Sequence, residues 1–404
     1  MEPITPTAFG KPMKIGIYVS SAAVRRGYER NVSGHIQIPL RAIELLRQAG
    51  HDARLITNRY DEQTHTLPAC MPTEAPVHLV DDARVRGDIH NVKGAHRKGV
   101  RLGIIRQQLK QVRAITRTQQ LDVLHLFGMN RTAHFAGFLR LLGLRTPIVC
   151  TLFHARFPER FGALTKPLWR RVDGCVTATS YVQNELLKAG VQASIVRHGA
   201  VRDLRAEIED ESVGEKRRVL FWRDPSMNNG ADVCAAVYDA LAPKYTELSF
   251  DLAIRPYWAE VEGLDELATR HDNVHIYRFP YEPGVSLPKL VLESLCVLLP
   301  FRHMTINPQL AIAESLAAGV PVVATDLWST NELISPGRNG ELTPVGDADA
   351  TIRAVEQVIE NREQALEMGR NAAIDFAEHW NWDRFVDETL AVYESCGANR
   401  GATR

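Results

Sequence analysis

The stretch FRHMTINPQLAIAESLAAGVPVVATDLWSTNELI (301–334) places a carboxylate, Glu314, inside an otherwise apolar helical run. A carboxylate in such a run is costly unless something holds it, which makes Glu314 a candidate ligand group. A glutamate turned to solvent is the competing reading. Glu332, in STNEL, reads equally as a ligand group or as an acid at a helix N-terminus. Gly34 stands at the turn before the first predicted helix. A loop without a side chain there lets backbone amides approach a phosphate, although an ordinary turn glycine looks the same. Arg223 and His154 each end a predicted strand, in VLFWRD and TLFH. Residues 84–117 gather Arg84, Arg86, Lys93, Arg97, Lys98, Arg101, Arg106, Lys110, Arg113 and Arg117 with few acids. That stretch suits an anionic membrane surface, a polyanionic acceptor, or simply a solvated helix face. It holds no Phe, Trp or Tyr, which argues against stacking on single-stranded nucleic acid.

The elements that must position these residues alternate. Apolar runs at MKIGIYVSS (13–21), ARLIT (53–57), LDVLHLFG (121–128), PIVCTLFH (147–154), GCVTATS (174–180) and ASIVRHG (193–199) read as buried parallel strands. Helical segments lie between them. In the first, Ile36, Leu40, Ile43 and Leu46 recur at helical spacing and Gly50 stops the turn. The alternation restarts with RVLFWRD (218–224), LSFDLAI (248–254), NVHIYRF (273–279), CVLLPF (296–301) and VPVVATD (320–326). Strand–helix alternation predicts a parallel sheet covered on both faces. The expected plan is therefore α/β: a doubly wound domain over 1–200, a charged linker over 201–217, a second such domain over 218–375, and a helix over 376–404 that returns to the first. Trp380, Trp382 and Phe385 of that tail need an apolar seat. Two such sheets are expected to face a cleft, with ligands beyond the carboxyl ends of the strands.

Bulk properties agree. A chain of 404 residues is too long for one ordinary domain. Its 48 basic and 48 acidic residues balance, so bulk charge points to neither nucleic acid nor membrane. Six scattered cysteines without a C-x-x-C pair read as reduced core thiols, with no metal and no disulfide expected. No basic region followed by an apolar run opens the chain, and no stretch is apolar over a bilayer's width. A cytoplasmic protein is expected, with peripheral attachment at the inner face of the membrane as the second location.

The order of these segments resembles the retaining, nucleotide-sugar-dependent glycosyltransferases of family 4, which have the GT-B fold: two Rossmann-like domains facing a cleft. GHIQIPLRAIELLRQAGHDARLIT is similar to the family's glycine loop and first helix. DVLHLFG, CVTATSYVQNELLKAGV with IVRHGA, and VLFWRDPSMNNGADV follow in the family's order. AESLAAGVPVVATDLWSTNELI is similar to its most specific segment, the second glutamate of the E-x7-E motif. The resemblance implies that Glu314 accepts hydrogen bonds from the donor ribose hydroxyls and that Arg223 holds the leaving diphosphate, without a metal. It places Gly34 at the phosphate and His154 near the reacting sugar. Asn307 and Gln309, in the NPQL that replaces the family's glycine-rich run, join the donor-binding set.

Several positions depart from the family. Ile306 stands where the first motif glutamate belongs, and Pro308 removes a backbone donor nearby. Asn228 and Asn229 replace the phosphate-loop lysine, Ser33 a glycine, and His198 an asparagine. Arg255, Arg278 or Arg302 could supply the missing positive charge. The expected activity is transfer of a sugar from a nucleotide diphosphate donor to a glycan, lipid-linked or small-molecule acceptor, with no cofactor beyond the donor. The alternatives are a degenerate GT-B binding or scaffold partner and a nucleotide-sugar epimerase.

Overall fold

A computed structural model describes residues 11–30, 32–81, 96–155, 162–208, 213–254, 261–304 and 306–401. Arg84, Arg86, Lys93 and Arg255 lie outside them. By its internal contacts the chain forms two units, Met1–Val196 with Trp382–Arg404, and Arg197–Asn381.

In the first unit the strands are β1 (Lys14–Val19), β2 (Val24–Arg25), β3 (Asp52–Asn58), β4 (His65–Thr66), β5 (Val77–Val80), β6 (Val123–Gly128), β7 (Ile148–Leu152), β8 (Gly174–Thr177) and β9 (Ser194–Ile195). The helices are α1 (Gly34–Gln48), α2 (His96–Thr118), α3 (Asn130–Leu141), α4 (Gly162–Trp169) and α5 (Ser180–Lys188). Seven strands make one sheet in the order β5-β3-β1-β6-β7-β8-β9, and β2 pairs with β4 apart from it. Every ladder of the large sheet is parallel, with Ile15 opposite Ala53 on one side and Val123 on the other. The apolar runs of the sequence are buried here because a parallel sheet is covered on both faces: Ile15, Ile17, Leu124, Leu126, Val149 and Leu152 are all inaccessible. The order reverses between β1 and β6, which is where ligands of such sheets bind.

The second unit repeats the plan. Its strands are β10 (Arg218–Phe221), β11 (Ser249–Ile254), β12 (Val274–Arg278), β13 (Ser294–Leu299), β14 (Val322–Thr325) and β15 (Gly340–Thr343). Its helices are α6 (Ala231–Leu241), α7 (Leu264–Arg270), α8 (Leu287–Leu292), α9 (Leu310–Ala317), α10 (Ala348–Glu360) and α11 (Arg362–His379). The six parallel strands run β12-β11-β10-β13-β14-β15, so the order reverses between β10 and β13. The segment 201–217 packs on this unit where it is described. Leu204 is buried, and Arg205 donates to Ala318 O at 2.8 Å. The Gly214 amide and the Lys216 ammonium donate to Glu293 and Leu292. The strand expected over 193–199 is only Ser194–Ile195, because the chain passes into the second unit at Arg197. Of the six free thiols Cys70 is exposed, which corrects the reading of all of them as core residues.

The tail forms α12 (Trp382–Gly401) and belongs to the first unit. Its Tyr393 hydroxyl lies 2.6 Å from His125 Nδ1 in β6, and Thr151 Oγ1 of β7 lies 2.7 Å from the other ring nitrogen. A Cβ on Gly174 would come within 2.8 Å of Cys396 Sγ, so glycine in β8 lets the helix approach the sheet. Burial holds His125 neutral down to about 3. In the second unit, burial, against a smaller opposing hydrogen bond to Gly199 O, does the same for His198 down to about 4.

An unfolded imidazole protonates near 6.5, so below that pH the unfolded chain binds protons that the folded chain refuses. Stability is full above pH 6.5 and falls as the pH drops. At pH 5 the loss is about 2 kcal/mol per histidine, from roughly 1.5 pH units at 1.36 kcal/mol each. Denaturant unfolding at pH 7 and pH 5 measures this, and in His125→Asn the difference between the two pH values should shrink by about 2 kcal/mol.

Candidate functional site

The second unit gathers most of the residues singled out by sequence at one end of its sheet. Arg223 follows β10, Asn307, Gln309 and Glu314 follow β13, and the two strands flank the point where the order reverses. Each is fixed differently. The Arg223 guanidinium lies over the Phe301 ring, 5.9 Å from its centroid, within cation–π range. Trp222, beside it, donates from Nε1 to Ser315 Oγ at 3.2 Å. Ser315 in turn donates to Ala311 O at 2.7 Å. That pair of bonds ties the end of β10 to α9 one residue from Glu314.

Glu314 is 3 % exposed. Its charge acts on Arg202, a residue of the segment expected as linker. Burial works against the charged Arg202 guanidinium. The hydrogen bonds it donates to Glu207, with the charges of Glu314 and Glu207, outweigh burial and push the group up. Arg202 meets the Glu207 carboxylate through two nitrogens, at 2.9 and 2.6 Å. A carboxylate with a cation in range is suited to accept hydrogen bonds from a ligand.

The loop after β10 is pressed against the end of β13. Gly230 has φ +76°, and a Cβ there would sit 1.8 Å from Pro300 O. Asn228 O accepts from the amides of Arg302 and His303 at 2.9 and 3.0 Å, and Asn229 Nδ2 donates to Asp224 O at 3.0 Å. The asparagines in place of a lysine thus hold the loop's shape. Asn307 is fully buried and its Oδ1 accepts from Ser329 Oγ at 2.8 Å, which links the loop before α9 to the loop after β14. Gln309 is buried at the N-terminus of α9 without capping it through its side chain. Ile306 is 6 % exposed, so its side chain joins the core.

The other proposed cations are engaged with acids. Arg302 pairs with Asp232 in the first turn of α6. Arg278 ends β12, the edge strand two places from β10, and pairs with Asp265 at 2.9 Å. Glu332 lies in a short 3-10 turn and pairs with Arg197 at 3.6 Å. Arg197 also stacks on Trp380, 5.2 Å from its centroid.

Gly34 and His154 belong to the first unit. Gly34 opens α1 next to the reversal point of that sheet. Ser33 spends its hydroxyl on His35 Nδ1 at 2.7 Å rather than capping the helix. His154 stands half-buried two residues past β7. On α2 the described basic side chains Arg106, Lys110, Arg113 and Arg117 recur at one helical face, with Arg106, Lys110 and Arg117 exposed. No acid occurs between His96 and Gln120. Sequence reading missed Arg202 and Trp222; the only sign of the second was a tryptophan abutting the strand-end arginine.

Comparison with known proteins places this geometry. Residues 218–361 match the description Glycosyl transferases group 1, and residues 33–199 match Glycosyl transferase 4-like domain. The phosphatidyl-myo-inositol mannosyltransferase of Mycolicibacterium smegmatis is 24% identical over 379 residues, 91% of this chain and 92% of its own. A glycosyltransferase from Rickettsia africae superposes with a TM-score of 0.69 at 13% identity, over 96% of this chain and 99% of its own. Anabaena HepE in complex with UDP gives 0.68 at 15%, over 95% and 100%. Among the described residues no group of His, Cys, Asp and Glu could hold a metal ion, and no helix is long and apolar enough to cross a membrane.

The close approach at Gly230 sets a measurable contrast. Gly230→Ala must displace a backbone carbonyl as well as bear a positive φ, and should cost about 2 kcal/mol or more. Gly27 has φ +86° with nothing within 4 Å of its added Cβ, so Gly27→Ala should cost only about 1 kcal/mol. Equal losses in thermal unfolding would show that the loop does not press on β13.

Proposed function

The chain belongs to the glycosyltransferases of group 1, family 4, with the GT-B fold, and from that premise we propose that it transfers a sugar, with retention at the anomeric carbon, from a nucleotide diphosphate donor to an acceptor hydroxyl. The observation that carries this reading is the buried, charge-compensated Glu314 on α9, across the reversal point of the sheet from Arg223. Support comes also from Anabaena HepE, whose structures hold UDP and UDP-glucose. In this reading Glu314 accepts from the two ribose hydroxyls, a vicinal pair that a two-oxygen carboxylate suits. Arg223, steadied on Phe301, meets the diphosphate with amides at the α6 and α9 N-termini as further donors. Gly34 brings backbone amides to a phosphate in the same way.

The step balances within donor and acceptor. The bond from the anomeric carbon to the diphosphate oxygen breaks, and the negative charge that grows on the leaving diphosphate is stabilised by the Arg223 guanidinium. The acceptor oxygen bonds to the same carbon on the same face. Its proton passes to an oxygen of the departing diphosphate, so no side-chain base is required. His154 positions the sugar through a hydrogen bond. Asn307 and Gln309 shape the pocket around it, and Arg278, at the edge strand, adds positive field.

The acceptor is the anionic partner that the basic face of α2 fits. The relative from M. smegmatis is named for a phosphatidyl-inositol acceptor, which is an anionic lipid. Exposed Arg106, Lys110 and Arg117 on one helical face, with no acid in the chain between His96 and Gln120, form a cationic surface of the kind that meets phosphate headgroups.

Thermal unfolding of the full chain against UDP, GDP and ADP and their glucose and mannose conjugates tests the donor reading. A ligand at one hundred times its Kd adds about 2.7 kcal/mol of stability, so one nucleotide series should raise the Tm clearly. Glu314→Gln should weaken the best stabiliser about tenfold or more, and Arg223→Ala should lower kcat/KM by about 10²–10³. A chain that no nucleotide stabilises would sink the reading. For the acceptor side, co-sedimentation with phosphatidylcholine vesicles should appear only when phosphatidylglycerol is included, fade as salt rises, and vanish in Lys110→Glu/Arg117→Glu.

A further inference from the structure

The loop after β14 carries a feature that the donor reading does not use. Trp328 has φ +55°, in the left-handed region, where a bulky side chain is disfavoured. Gln120, the other described non-glycine residue there, simply closes the end of α2, with its amide donating to Arg117 O at 3.1 Å. Trp328 closes no helix. Its conformation is imposed from the residues that follow: Ser329 Oγ donates to Asn307 Oδ1 at 2.8 Å, and Thr330 donates to Leu327 O from its amide at 3.1 Å and its hydroxyl at 2.7 Å. Strain that the surroundings enforce is a mark of a side chain whose direction matters. The indole is only partly buried, so core filling does not account for it.

That direction leads to His303. The two rings lie edge to face, with centroids 5.1 Å apart and planes at 84°. The His303 amide donates to Asn228 O, in the loop after β10. The pair therefore bridges the loops beyond β10, β13 and β14, the strand ends around the reversal point. No acid occurs from Phe301 to Ala313, and Met304 and Ile306 behind the pair are buried and apolar. This wall carries an indole and an imidazole side by side.

We propose that Trp328, braced edge to face by His303, is the platform on which the C–H face of the donor's pyranose ring rests, so that this wall selects the sugar by the apolar face of its ring. The proposal rests on the donor reading above and names the subsite for the transferred sugar. Pyranose C–H bonds carry partial positive charge and an indole face partial negative charge, so the contact is attractive and directional. The imidazole adds a hydrogen bond to a hydroxyl at the ring edge. The nucleotide is held by Glu314 and Arg223 and does not need the platform.

Calorimetric titration of the full chain with UDP, UDP-glucose, GDP and GDP-mannose tests this through the ratio of sugar-nucleotide to nucleotide affinity. In Trp328→Gly, which relieves the backbone, that ratio should fall about tenfold while the affinity for the bare nucleotide and the Tm hold. Trp328→Phe should keep most of the ratio, and His303→Ala should lower it about threefold. An unchanged ratio in Trp328→Gly, or an equal loss of nucleotide and sugar nucleotide, overturns the platform and leaves the donor reading standing. Failure of the unmutated chain to bind any nucleotide of the UDP, GDP and ADP series overturns the donor reading and the platform together.

Discussion

The burial of the Glu314 carboxylate, on which the Arg202 charge acts, is the constraint on which the second unit's site depends. A carboxylate taken out of water costs several kcal/mol unless a cation or donors answer it. Glu314 is almost wholly buried on α9, and the Arg202 charge acts on it. Arg202 is itself anchored, through Glu207 on one side and by the packing of the neighbouring Leu204 on the other. The described part of 201–217 is therefore part of the site's support, and its Arg202, Arg205 and Lys216 are placed by hydrogen bonds rather than merely solvated.

Around that pair the architecture solves a positioning problem with backbone. The loops beyond β10, β13 and β14 are joined by Asn228 O to two amides, by Asn307 to Ser329, and by Trp222 to Ser315. Gly230 lets two of them meet at a distance no side chain would permit. Groups held by such cross-bonds are held tightly enough for oriented chemistry, where errors near 1 Å matter. Arg302 and Asp232 neutralise each other at the same spot, which stiffens the α6 N-terminus.

The first unit is held together by a different device. His125, in the middle of a buried strand, is kept neutral and bridges Thr151 and the tail residue Tyr393. Fully buried polar groups of this kind are tolerated only when their hydrogen bonds are made. The tail helix thus seats on the sheet through a specific polar contact as well as through Phe385 and Cys396. The aromatic Trp380, one turn earlier, stays with the second unit, stacked by Arg197 and Phe376.

How much of this was written in the sequence follows from the range of each interaction. Buried parallel strands must be apolar throughout and helices must repeat at 3.6 residues, so MKIGIYVSS, LDVLHLFG and VPVVATD announced the alternation and the class of fold. Glu314 was legible because a carboxylate in an apolar helix is locally anomalous, and Arg223 because it ends a strand. The strands β2, β4, β5 and β15, of two to four residues, stand out by no apolar run and were not foreseen. The partners of charges were equally hidden. Arg202 looked like one charge among many in 201–217, Arg302 and Arg278 looked available, and nothing local marked Trp328 as left-handed. Local pattern determined which segments become strands and helices, because propensity and burial act over a few residues. Only the folded sheet decided which strand ends stand side by side, and with them which cation answers Glu314 and which ring Trp328 faces, because those contacts join residues far apart in the chain.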